Sequence, residues 1–115
     1  MHEYGIVQEL IGAVTREARA RHATSVGRLQ VAIGELSGVE PELLVLAWQT
    51  FRERTVCEGA ELSLRKVPAV WRCPLCERDL EPGQRLQCPT CGAPARLHSG
   101  DDLVLERIEM EVPDV

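Results

Sequence analysis

The chain has 115 residues, 44% of them hydrophobic but only 3% aromatic, which suits one small aliphatic core with an appendage and excludes global disorder. A net charge of −5, from 13 basic and 18 acidic residues, weighs against binding a nucleic-acid backbone, and no segment is a basic patch: residues 1–67 carry −1, 68–99 carry +1 and 100–115 carry −5. The start is acidic at Glu3 without a basic-then-apolar leader, and the longest apolar run, LLVLAW at Leu43–Trp48, is too short to cross a bilayer, so the expectation is a cytoplasmic protein with no membrane and no nucleic-acid partner.

Val7, Leu10, Ile11, Val14 and Ala18 recur at helical spacing, predicting a helix over about residues 5–22 with His22 favouring its negative end. In VGRLQVAIG, Leu29, Val31 and Ile33 alternate with Arg28, Gln30 and Ala32, the pattern of a half-buried strand. Gly34 and Ser37–Gly38 punctuate the chain before VEPELL, where Pro41 suits the first turn of a second helix and Glu40 and Glu42 suit its positive end. Leu44, Ala47, Trp48 and Phe51 form that helix's apolar stripe. CEG at Cys57–Gly59 reads as a turn, with Cys57 a small buried hydrophobe. A second strand follows in AELSLRKV, and a last one in DDLVLERIEMEV, with Val104, Ile108, Met110 and Val112 expected on one face. Charges at Arg107, Glu109 and Glu111 lie on the other and discourage edge pairing.

Residues 68–99 are different. They hold five of the seven prolines and four of the five cysteines, with few large apolar side chains. The expected fold class is therefore α+β: two helices packed on a three-stranded sheet, with an inserted zinc-ribbon module. In domains, that is a discontinuous base of 1–67 plus 100–115 and a ribbon of 68–99.

The insert contains CPLC at Cys73–Cys76 and CPTCG at Cys88–Gly92, eleven residues apart. Two thiolates three positions apart on a tight turn grip one ion, and a second such turn completes a tetrahedron of the kind zinc favours, with Zn–S about 2.3 Å. Such a closed site leaves no coordination position for substrate, so the metal is structural. A thioredoxin-like redox pair needs one CxxC inside a βαβ unit, and a rubredoxin-like iron site leaves the base without a role. His98 reads as a surface loop residue, with an outer neighbour of the metal or an alternate ligand to it as the other readings.

The opening MHE admits two readings. A histidine beside an initiator methionine is usually just exposed. The alternative is a chelate: the Met1 amine, the imidazole and backbone nitrogen of His2 and the backbone nitrogen of Glu3 make a square plane of nitrogens, which Ni(II) or Cu(II) accepts better than zinc. No Ser/His/Asp set or phosphate-cradling glycine loop is evident, so an enzyme is not expected.

These pieces occur in a specific order: the MHE start and its helix, IGELSGVEPELL at 33–44, TFRERTVCEGAEL at 50–62, two cysteine knuckles and an acidic closing strand. In that order they resemble the HypA/HybF family of nickel-delivery proteins over nearly the whole chain. The resemblance implies a nickel metallochaperone for [NiFe]-hydrogenase maturation that carries Ni(II) as transient cargo and Zn(II) as a structural ion. Its implied partners are a HypB-type GTPase and the hydrogenase large-subunit precursor, with urease maturation proteins served by some members. It implies nickel ligands at Met1, His2 and Glu3, and zinc ligands at Cys73, Cys76, Cys88 and Cys91. Some relatives carry histidines beside or between their zinc cysteines. This chain has none between Cys73 and Cys91, so a pH-driven exchange of zinc ligands is not expected.

Overall fold

The computed structural model describes residues 2–113, with the side chain of His2 outside the described set. Eight elements follow in order: α1 (His2–Ala20), β1 (Ser25–Gly34), α2 (Pro41–Phe51), β2 (Glu61–Val67), β3 (Val70–Cys73), β4 (Arg78–Asp79), β5 (Arg96–Ser99) and β6 (Leu103–Glu111). They build two three-stranded sheets, one ordered β2-β1-β6 and the other β4-β3-β5. The architecture is α+β, as the residue pattern predicts.

In the first sheet β1 is central, parallel to β2 and antiparallel to β6. The α2 crossover makes the parallel pairing possible, since parallel strands cannot be joined by a tight turn. Leu29, Val31 and Ile33 of β1 meet Val7, Leu10, Val14 and Ala18 of α1 and Leu44, Ala47 and Trp48 of α2 in one cluster. Both helices therefore cover the same sheet face. The other face is polar: Arg28 pairs with Glu61 and Glu109 on its two neighbouring strands, and Arg65 forks onto Glu106. Ala32, expected on this face, is nonetheless buried, because its neighbours in register are Arg65 and Val104 and their longer side chains overhang a methyl group.

Three expectations change. The first helix starts at His2 rather than near residue 5, because Gly5 is tolerated inside it. Its end shows why His22 matters: His22 sits at φ 55°, and the bonds from Ala23 N to Ala18 O and from His22 N to Arg19 O close a left-handed cap. In β6 the register shifts opposite Gln30–Val31, where Arg107 pairs with Gln30 but Leu105 with Val31. That bulge reverses the side-chain phase, so Leu103 and Leu105 join Ile108 and Met110 on the core while Val104 stands exposed. Val112 is exposed too. Finally, Phe51 is not core. It lies at the surface, edge-on to Tyr4 with ring centroids 5.2 Å apart, and joins the end of α2 to the start of α1.

Trp48 is the largest fully buried side chain; its Nε1–H donates to the Ala60 carbonyl at 2.9 Å, and Arg52 donates to the same oxygen at 2.6 Å. These bonds fold residues 52–60 back under α2. Cys57 ends there with no exposure, and burial pushes its thiol pKa up, so it is an inert core group. No described helix is long and apolar enough to cross a membrane.

Candidate metal centre

The second sheet presents two knuckles of the same design. After Cys73 the chain turns so that Glu77 N donates to Cys73 O at 2.9 Å; after Cys88, Gly92 N donates to Cys88 O at 2.9 Å. The fourth residue after the leading cysteine is left-handed in both, Glu77 at φ 54° and Gly92 at φ 76°. Glycine meets that need without strain in the second knuckle, whereas glutamate bears it in the first. The β3–β4 pairing orients the first knuckle through the Arg72↔Asp79 and Cys73↔Arg78 register, with Arg72 Nε on Asp79 Oδ1 at 2.8 Å. An isolated bridge between Gln87 and Pro94 and a bond from Cys88 N to Ala93 O orient the second. EPG at 81–83 is a turn, with Gly83 at φ 84°, but it runs from β4 into that single bridge rather than between two full strands.

The two knuckles bring Cys73, Cys76, Cys88 and Cys91 together, with all four sulfur atoms within 4.8 Å of one another. Cys73 Sγ lies 3.5 Å from Cys91 Sγ, and Cys88 Sγ lies 3.9 Å from Cys76 Sγ. A tetrahedron with metal–sulfur bonds of about 2.3 Å has edges of about 3.8 Å, so the spacing fits one thiophilic ion. A disulfide needs about 2.05 Å, and all five cysteines are free. Cys73 and Cys88 are buried, Cys76 is partly covered and Cys91 is exposed, so the ion's place is walled on one side only.

Protonation points the same way. Backbone amides of Cys91 and Thr90 donate to the Cys88 sulfur and lower its pKa to about 6, favouring its thiolate form. Hydrogen bonding to Cys91 is the main cause that pushes Cys76 up to about 12, followed by burial. Four sulfurs this close cannot all ionise on their own. A divalent cation removes that conflict, and it is the group this donor set fits. His98 lies on β5, exposed, and is not part of the four-sulfur group.

Met1 and the His2 side chain lie outside the described residues. Glu3 is within them, and its side chain has a structural task separate from the backbone donor the sequence suggests. Its carboxylate is mostly buried, and Oε2 accepts from the Glu40 backbone N–H at 3.1 Å. Glu40 is the N-cap of α2 and makes no side-chain cap of its own. Glu3 thus ties the first turn of α1 to the entry of α2. Nothing in the local sequence signals a contact across 37 positions; only the acidic residue in the first turn of α1 hints at it.

Residues 1–110 match the family described as hydrogenase/urease nickel incorporation, metallochaperone, HypA. The chain is 41% identical over 114 residues to a hydrogenase maturation factor HypA from Aquifex aeolicus, covering 97% of this chain and 99% of that one. It is 38% identical over 113 residues to the Shewanella baltica factor of the same name, covering 96% and 97% of the two chains. Among solved structures, the Ni metallochaperone HypA from Helicobacter pylori superposes with a TM-score of 0.72 at 29% identity, over 96% of this chain and 98% of that one. A second solution structure of a HypA protein gives 0.81 at 30% identity, over 98% of both chains.

Proposed function

The chain belongs to the HypA family, and from that premise we propose that it is a cytoplasmic nickel carrier serving [NiFe]-hydrogenase maturation, a binding protein rather than an enzyme. In this reading the base formed by residues 1–67 and 100–115 holds Ni(II) at its start, and residues 68–99 hold a structural Zn(II). The observation that carries the division of labour is the four-sulfur cluster, whose closed, thiolate-only donor set suits a permanently held zinc ion and leaves no position for exchangeable cargo.

Nickel then needs nitrogen donors, and the Met1 amine, His2 and the backbone nitrogen of Glu3 supply them at the start of α1. The Glu3 carboxylate, accepting from the Glu40 amide, anchors the first turn of α1 beside the entry of α2. Such a site releases its ion one donor at a time and weakens as pH falls, because protons compete for the amine and the imidazole. The maturation role implies protein partners, and we assign to it a HypB-type GTPase and the hydrogenase large-subunit precursor, with urease maturation proteins a further class. The test is His2→Ala in the full chain. Nickel binding is expected to be lost while one zinc per chain stays; full nickel affinity in the variant overturns the assignment.

A further inference from the structure

The two sheets are connected in an unusual way. Packing between elements is dense inside each sheet and at most marginal between them. The molecule measures 59 × 33 × 16 Å and its radius of gyration is 18.3 Å, where a compact chain of this length has about 13 Å. The cysteine-bearing sheet therefore projects from the base on two strands of chain, one leaving β2 through Pro68 and Ala69, the other returning through Gly100 and Asp101. Two such strands without a packed interface permit the projection to swing. Something at the joint must decide its posture.

One short segment grips both strands. At the end of β1, Gly34 N donates to Asp102 O at 2.8 Å and Leu36 N to Gly100 O at 2.7 Å, holding the returning strand. Glu35 N donates to Val67 O at 2.8 Å, and the Glu35 carboxylate accepts from Ala69 N at 2.8 Å, holding the outgoing strand. The backbones are pressed together here. A Cβ on Gly34 would lie 2.4 Å from the Gly100 carbonyl carbon, and one on Gly100 would lie 2.6 Å from the Ala69 Cα. Three of the four bonds are main-chain bonds that any sequence makes. Only the Glu35 carboxylate is a choice of side chain, and it reaches the first amide beyond Pro68, a residue with no N–H of its own.

We infer that Glu35 is the positioning residue that sets the posture of the cysteine module on the base, acting as a latch on the outgoing strand at Ala69. This assignment does not depend on which ions the protein carries. It gives the 34–40 loop two carboxylate anchors, Glu35 at the module and Glu3 at the Glu40 amide. The arrangement of the module relative to the start of α1 is thereby written into one loop.

The test uses the full zinc-loaded chain and residual dipolar couplings, with amide exchange at Ala69 as a second readout. In the native protein both sheets are expected to fit one alignment tensor. In Glu35→Ala the Ala69 amide is expected to exchange roughly tenfold faster, and the two sheets are expected to need separate tensors. Glu35→Gln keeps a carbonyl acceptor at the same reach and is expected to restore both readouts, a rescue that mere bulk does not give. Glu35→Asp keeps the charge but falls one methylene short of the Ala69 amide; it is expected to separate the tensors as well and decides the matter if Glu35→Ala does not fold. A single shared tensor with unchanged Ala69 exchange in Glu35→Ala, or the same result in Glu35→Asp where Glu35→Ala does not fold, overturns the inference. So does a Glu35→Gln variant that behaves like Glu35→Ala.

Discussion

Stripping the metal from the cysteine module should unfold that module and leave the base standing. The reasoning starts from where apolar burial lies. All thirteen residues of the main buried cluster belong to α1, β1, α2 and residues 57–60. In residues 68–99 the only buried hydrophobic side chains are Cys73 and Cys88, two of the four sulfur donors themselves. Fully burying an aliphatic side chain is worth about 1.5–3 kcal/mol, and the module has none beyond those two, so its apolar contribution is a few kcal/mol at most. Structural zinc in small thiolate modules contributes about 10–16 kcal/mol near neutral pH, which makes the ion the largest stabilising term available. The assay is a heteronuclear correlation spectrum of the full chain during titration with a strong chelator under reducing conditions. Amides of residues 70–99 should collapse to the unfolded region while those of β1 and α2 keep their positions. The return of zinc should restore the spectrum. A module that keeps its dispersion without metal, or a base that unfolds together with it, refutes the argument.

Two smaller effects follow from the same geometry. Glu77 bears a left-handed backbone that Gly92 adopts without strain in the matching knuckle, so Glu77→Gly should stabilise the zinc-loaded module by a few tenths to about 1 kcal/mol, read as tighter zinc retention against a competing chelator, whereas Gly92→Ala should weaken it by about 1 kcal/mol. The hydrogen bond from Arg65, followed by its charge, holds Glu106 below the ordinary carboxylate range. Its contribution to stability is present above the unfolded-state pKa and is lost as pH falls through the lowered folded value. Arg65→Ala should return Glu106 to the ordinary range in a carbon-detected titration and lower the urea midpoint slightly at neutral pH, a difference that vanishes once both states are protonated.

Much of this was legible from residue pattern because the signals are local. The alternation in VGRLQVAIG needs only the period of a strand, and the core face of β1 follows it at Leu29, Val31 and Ile33. The cysteine spacing predicted a shared metal-sized site, and the four sulfurs converge. The failures were non-local. The alternation places Val104 on the core face, yet it stands exposed, because the bulge in β6 is set by pairing with β1 and not by anything in LVLERIEME itself. Phe51 continues the apolar stripe of α2, but its ring lies at the surface and packs on Tyr4, a residue 47 positions away that no local pattern points to. The carboxylates of Glu3 and Glu35 each accept from an amide more than thirty positions away, which no window of sequence reveals. In the metal centre, pattern picked out the four cysteines that converge but not the division between buried Cys73 and Cys88 and exposed Cys91, which depends on packing between segments far apart in sequence.

The central claim is that thiolates keep one ion permanently while the amino-terminal nitrogens lend out another. Its most direct test is nickel titration of the zinc-loaded chain with the Met1 amine free and with that amine acetylated, counting both metals. The account predicts one zinc per chain in both forms, and one nickel taken up by the free form but not by the blocked form. Equal nickel uptake by the two, or nickel gained only as zinc is displaced, contradicts it.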